Sequence, residues 1–208
     1  MIRAIAENIS KNGEWLTELD VAIGDGDHGT NLTRGFNKAI EKFSTYKYEL
    51  PSEIFKDVAM MLMSVVGGSS GPLYGSFFVK MAMRFRGFED VSPELLGDAL
   101  SDGVNGVISL GKASCGDKTM LDALIPACES YKSALAEGGD VIYAFAKAYE
   151  AACQGAESTI PLQAKKGRAS FFGDRSIGHK DPGAASSVLI IEAMYKHYAG
   201  SDTKTKNY

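Results

Sequence analysis

The sequence predicts an all-α protein, on three observations. Apolar residues recur at helical spacing through most of the 208 residues, no stretch sustains the period-two alternation of a strand, and about eight helical segments are joined by glycine-rich turns. With 45% apolar residues the chain can bury a sizeable core, and its length suits one domain, expected over residues 1–200 with 201–208 as a frayed tail. The formal net charge of −4 and the absence of a basic excess argue against a nucleic-acid partner. No run of about 18 apolar residues and no basic, apolar, small-residue leader pattern occurs, so neither a membrane span nor export is expected and the protein is assigned to the cytoplasm. Cys115, Cys128 and Cys153 form no C-x-x-C pair, which indicates neither a disulfide framework nor a zinc site.

Taken in order, Ile2, Ile5 and Ile9 and then Trp15, Leu16 and Leu19 give two short helices interrupted at Asn12-Gly13. After an acidic loop, Leu32, Phe36, Ala39, Ile40 and Phe43 form a helical stripe, which places the start of that helix at His28 to Asn31. Pro51-Ser52 opens the next helix, with Ile54, Phe55, Val58, Ala59 and Leu62 on a wide apolar face and Met60, Met61, Met63 and Met81 expected as core filler. Gly67-Gly68-Ser69-Ser70-Gly71-Pro72 leads into a helix from Leu73 to Phe85. Ser92 caps another that runs to Leu110. A polar loop from Gly111 to Thr119 precedes helices at Met120 to Ala134 and Asp140 to Gln154. Asp181 as N-cap and Pro182 at the first turn then open a helix from Ala184 to Tyr198. Polar loops at 20–31, 67–72, 111–119 and 165–183 recur at about every second junction, and an up-and-down bundle gathers such loops at one end.

The acidic loop carries the chemistry. Asp20, Asp25 and Asp27 fall within eight residues, interleaved with Gly24 and Gly26, and no Lys or Arg lies among them. Crowded carboxylates repel, so a fold that gathers them supplies a hard cation with a preference for oxygen. Asp25 and Asp27 project to one side of an extended segment, and the glycines let the chain turn Asp20 toward them. Three oxygen ligands leave most of an octahedral Mg²⁺ shell open to water and substrate phosphate, and the charge of three carboxylates plus a di- or triphosphate balances roughly two divalent ions. A two-metal nucleotide site follows. The helix that starts beside it offers free N–H groups at Gly29, Thr30 and Asn31 to a phosphate. Spacing alone leaves His28 open between a phosphate contact and a hydrogen-bonded structural histidine.

The Gly67 to Gly71 turn, with Ser69 and Ser70, is either a plain loop or a second anion cradle. Lys165, Lys166, Arg168 and Arg175 form the one basic cluster, a solvated loop by default, in which Arg168 suits a bidentate phosphate clamp. Met120 either packs on a flat base or fills core. Three motif matches fail. Gly24-x-Gly26-x-x-Gly29 puts aspartates where a dinucleotide pyrophosphate would lie and follows no βαβ strand. A calcium loop from Asp25 has Thr30 in place of its glycine and Phe36 in place of its glutamate. Gly106-x-x-x-x-Gly111-Lys112 continues with Ala113 where a P-loop needs a hydroxyl.

Together, Leu19-Asp20-x-x-Ile23-Gly24-Asp25-Gly26-Asp27-His28-Gly29-x-Asn31, Gly67-Gly68-Ser69-Ser70-Gly71, Gly116-Asp117-Lys118-Thr119-Met120 and Asp181-Pro182-Gly183-Ala184 resemble the L subunits of dihydroxyacetone kinases, in order and across nearly the whole chain. The resemblance implies a closed antiparallel eight-helix barrel with ADP at one end. It implies that Asp20, Asp25 and Asp27 hold two Mg²⁺, and that His28, Gly29, Thr30, Asn31, Ser69 and Ser70 contact the phosphates. It gives Gly111, Thr119 and Met120 to the nucleotide pocket, Arg168 to its phosphate end and Asp181, Pro182 and Gly183 to its rim. No catalytic residue is assigned in this chain. The implied role is a phosphotransferase subunit whose ADP/ATP passes a γ-phosphoryl group to dihydroxyacetone on a partner K subunit. A phosphoenolpyruvate-system M subunit recharges it, in a homodimer or heterocomplex. The rival expectations are an ATP-dependent kinase subunit for another ketose or acyl substrate, and a non-catalytic nucleotide-sensing module.

Overall fold

The computed structural model describes the backbone of residues 1–205 and the side chains of residues 1–200. The described residues form nine α-helices and one 3-10 segment, without a strand, as the helical periodicity predicts. The tail expected over 201–208 lies outside the described residues apart from the backbone of 201–205.

Helix α1 (Ile2–Lys11) ends at Asn12, whose side chain turns back to donate to Asn8 O at 2.8 Å, and α2 (Gly13–Ile23) begins directly after it. Then follow α3 (His28–Phe43), α4 (Pro51–Val65), α5 (Ser70–Arg84), α6 (Pro93–Gly111), α7 (Leu121–Ala136), α8 (Val141–Ser158) and α9 (Pro182–Thr205). Three starts are fixed by side-chain caps worth about 1 kcal/mol each. Ser92 Oγ accepts from Leu95 N–H at 3.2 Å, Asp140 Oδ1 from Tyr143 N–H at 2.8 Å and Asp181 Oδ2 from Ala184 N–H at 2.7 Å. Pro51, Pro93 and Pro182 occupy first helical positions, where the missing N–H costs nothing.

Each helix from α3 to α9 packs on the next, α1 packs on α3, and α9 packs on α1, so the succession of neighbours returns to its start. The apolar stripes meet inside. Phe36, Phe55, Phe77, Phe78 and Phe85 interlock across α3, α4 and α5, with Phe55 and Phe85 rings 4.9 Å apart edge to face. Tyr131, Phe145 and Tyr198 do the same across α7, α8 and α9. Each fully buried ring or aliphatic side chain contributes roughly 1.5–3 kcal/mol.

Two expectations need correction. Met81 is fully buried, but Met60 and Met63 are 50% and 40% exposed. The buried stripe of α4 is Phe55, Val58, Ala59 and Leu62, so positions 60 and 63 fall outside it and the apolar face is wider than the packed one. The 165–183 segment, expected as open loop, contains a 3-10 helix at Arg168–Ser176. Gly167 at φ 64° precedes it and Gly173 at φ 55° kinks it.

Candidate functional site

The acidic corner is built where α2 ends and α3 begins. Asp20 sits in the last turn of α2 and is buried, whereas Asp25 is exposed in the connecting loop. Asp20 Oδ2 accepts the N–H of Asp27 at 3.0 Å and of His28 at 3.2 Å, so this carboxylate caps α3 from across the loop, where Asp27 provides no side-chain cap. Gly24 makes the approach possible, because a Cβ there would stand 2.0 Å from Asp20 Oδ1. The outcome is convergence. One oxygen each from Asp20, Asp25 and Asp27 lies within 4.8 Å of the other two. Oxygens on opposite sides of a Mg²⁺ ion stand about 4.2 Å apart, so this donor set fits a hard divalent cation. Arg168 Nη2 lies 3.0 Å from Asp25 Oδ2 and already places one positive group at the corner.

Behind the corner runs a buried polar chain. His28 Nδ1 lies 3.1 Å from Ser70 Oγ and Nε2 lies 2.9 Å from Ser186 Oγ. Tyr74 OH reaches Ser186 Oγ at 2.6 Å and Ser187 Oγ at 3.0 Å, and donates to Gly183 O at 3.2 Å. Burial holds the His28 pKa down to about 4 against the pull of Asp20 and Asp27, so the ring is neutral. Both its nitrogens are engaged by serines, the structural alternative that spacing left open, while the ring also lines the cavity described next.

A cavity of about 160 Å³ opens beside the carboxylates. Asp20, Asp25, Asp27, His28, Ser70 and Arg168 form one part of its wall; Gly111, Thr119, Met120, Asp181, Pro182 and Gly183 form another. Ile23, Leu73, Val107 and Leu121 add apolar lining. Burial, with Asp122 and Asp20 adding to it, pushes the Asp181 carboxyl up to about 7 against the opposing Ala184 N–H and Lys118. Four expected contacts stand apart from this wall. Gly29 faces α2, where an added Cβ would lie 1.9 Å from Gly13 O; its smallness serves helix packing. Thr30 and Ser69 are exposed. Asn31 is buried, with its N–H on Asp27 O at 2.8 Å and its Oδ1 accepting from Arg34 at 2.6 Å.

Among the lining residues left without a role by the sequence reading, Lys118 has the most unusual surroundings. Lys118 is fully buried, at φ 61°, and its ammonium donates to the carbonyls of Thr159, Leu162, Ser176 and His179. Burial lowers its pKa and Asp181 opposes the shift. Beside it, Asp122 accepts the N–H groups of Gly116 at 2.5 Å and Thr119 at 2.7 Å and so shapes the loop that leads to Met120. The left-handed backbone at a non-glycine position was the only local signature, and it is invisible in a sequence.

Known proteins are similar to this chain in sequence and fold. A family model described as the DAK2 domain matches residues 22–196. The chain is 44% identical over 185 residues to the PEP-dependent dihydroxyacetone kinase ADP-binding subunit DhaL of Escherichia coli K12, covering 89% of this chain and 88% of that one. It is 39% identical to the PTS-dependent dihydroxyacetone kinase ADP-binding subunit DhaL of Lactococcus lactis, covering 90% of each. The crystal structure of the dihydroxyacetone kinase from C. freundii in complex with AMP-PNP and Mg2+ superposes with a TM-score of 0.71 at 26% identity, over 94% of this chain and 33% of that longer one. The chain therefore belongs to the DAK2-domain family, among the L subunits of dihydroxyacetone kinases.

Proposed function

We propose that this protein is the nucleotide-holding subunit of a phosphoryl relay in the cytoplasm. It keeps ADP/ATP with two Mg²⁺, gives the γ-phosphoryl group to dihydroxyacetone on a K subunit, and is recharged from phosphoenolpyruvate through an M subunit. The observation that carries this reading is the meeting of three carboxylates, Arg168 and Ser70 at one part of a cavity whose remaining wall, at Met120 and Thr119, is apolar enough for a flat base. The names of the relatives point the same way: two are ADP-binding subunits of PEP- or PTS-dependent dihydroxyacetone kinases.

When bound, the two Mg²⁺ ions neutralise phosphate charge and orient the transferred group. The chain's own residues do the rest by holding. Asp20, whose Oδ2 fixes the start of α3, would hold the ions together with Asp25 and Asp27. Arg168 offers a guanidinium fork to phosphate oxygens. His28, neutral and hydrogen-bonded at both nitrogens, moves no proton and serves as a rigid wall. Activation of the accepting hydroxyl accordingly falls to the partner subunit.

Native mass spectrometry of the purified protein after long dialysis tests the reading. ADP and two Mg²⁺ retained per chain are expected. A chain that carries no nucleotide and gains none with added ADP and Mg²⁺ overturns it, and rapid exchange with free ATP points to an ATP-dependent kinase subunit instead.

A further inference from the structure

Lys118 stands apart from the other cations of the molecule. The Lys and Arg side chains that form ion pairs among the described residues reach carboxylates at or near the surface, such as Arg84 to Asp102 and Lys132 to Asp98. The Lys118 ammonium is instead wrapped by four neutral carbonyls at zero exposure. Carbonyl oxygens can replace the hydration shell of a buried cation, and here they do so from two separate places in the chain. Thr159 and Leu162 follow the end of α8. Ser176 ends the 3-10 segment and His179 follows it. The residues between these pairs form a strap that begins and ends on one nitrogen atom.

Other bonds draw the strap to the same base. Ala164 N–H donates to Ser176 Oγ at 2.9 Å, Gly178 N–H to Ile160 O at 2.8 Å and Lys165 N–H to Asp117 O at 3.1 Å. What the strap carries is Lys166, Gly167 and Arg168, which line the cavity; what Lys118 itself belongs to is the loop of Thr119 and Met120, which line it too. A single charge thus joins two of the segments that line the cavity.

We propose that Lys118 is a positioning residue: it closes the strap onto the 112–120 loop and so sets where the Arg168 guanidinium stands relative to the carboxylates and a bound phosphate tail. The proposal rests on the nucleotide reading above for its ligand but not for its structural half. The Lys118 ammonium is turned onto carbonyls, and it acts through Arg168.

The test uses the full chain and three variants, Lys118→Met, Arg168→Ala and the two combined, with ADP, adenosine and Mg²⁺ as probes. In Lys118→Met, ADP affinity in Mg²⁺ falls about 10-fold while adenosine binding changes by less than about twofold. On the Arg168→Ala background the same change costs less than about twofold. Hydrogen exchange without nucleotide rises in residues 163–177 and not in α3 to α6. Equal losses for ADP and adenosine, or an undiminished loss without Arg168, overturn the proposal. Where Lys118→Met loses its helical circular dichroism, Ser176→Ala loosens the same strap without stranding a carbonyl ring, and the same pattern at smaller size is expected. If wild type binds no ADP, the nucleotide reading falls, and the exchange result alone decides whether Lys118 holds the strap.

Discussion

Two charged places beside the cavity are built on opposite plans. At the acidic corner, three carboxylates converge, and the fold satisfies only part of their capacity: two backbone N–H groups on Asp20 and one exposed guanidinium on Asp25. At Lys118, one ammonium is saturated by four carbonyls and sealed from water. Charge with spare capacity faces the opening, where a ligand can complete it. Charge that is fully answered by backbone holds the scaffold. Removing the two should therefore have opposite consequences, since an unmet valence costs the empty protein nothing to lose, whereas an orphaned carbonyl ring is expensive.

The contrast can be measured directly. Lys118→Met is expected to lower the free energy of unfolding by about 4 kcal/mol, because four carbonyls, in two buried and two part-buried hydrogen bonds, lose their donor at once. Asp25→Ala should leave it within about 0.5 kcal/mol, since the one ion pair it removes is exposed. Urea unfolding of both proteins without divalent ions, next to ADP titration with Mg²⁺, decides the matter. Asp25→Ala should lose ADP affinity by at least about 100-fold, and a large stability loss in that variant would erase the distinction.

His28 lies between the two regimes, and its behaviour with pH sharpens the comparison. Its folded pKa of about 4 lies below the ordinary value of 6.5, so between those values the unfolded chain binds a proton that the folded chain refuses. Stability present above pH 6.5 is lost as the pH falls toward 4, by roughly 3 kcal/mol. With divalent ions chelated, His28→Gln should flatten that slope in a series of urea midpoints; an unchanged slope would show that His28 is not its source. The smallest effect concerns shape alone. Gly24→Ala removes no ligand, yet its Cβ would press on Asp20 Oδ1 and tilt that carboxylate away. A loss of about 10-fold in Mg²⁺-dependent ADP affinity is expected by calorimetry, and unaltered binding would mean that Asp20 has no fixed role.

The acidic corner was legible because its signal is local: Asp20, Asp25 and Asp27 are neighbours in the chain and the glycines between them announce a turn. The helix starts at Ser92 and Asp181 were legible for the same reason, a cap and a proline standing side by side. Lys118 was not, since its four partners lie 41 to 61 positions away and are carbonyls, which every residue has. The part played by Gly29 was obscured by its company. Beside His28 and Thr30 its N–H reads as a phosphate donor, and the packed structure adds a second reason for glycine there, Gly13 against it. Met60 and Met63 misled because hydropathy records what a side chain prefers and not whether a neighbouring helix is present to cover it.

The hydroxyl chain behind His28 has an effect on the assembly of the helices. Greasy surfaces tolerate sliding, because one methyl group replaces another with little change, and helices held by them alone settle their relative height loosely. Ser70 on α5, His28 on α3 and Ser186 on α9 permit no such drift: a shift of one residue along any axis would leave polar atoms facing hydrocarbon. The three helices are thus locked in register at the level of the carboxylates, so the part of the molecule that gathers the three acidic side chains is also the part whose alignment is dictated by chemistry and not by bulk.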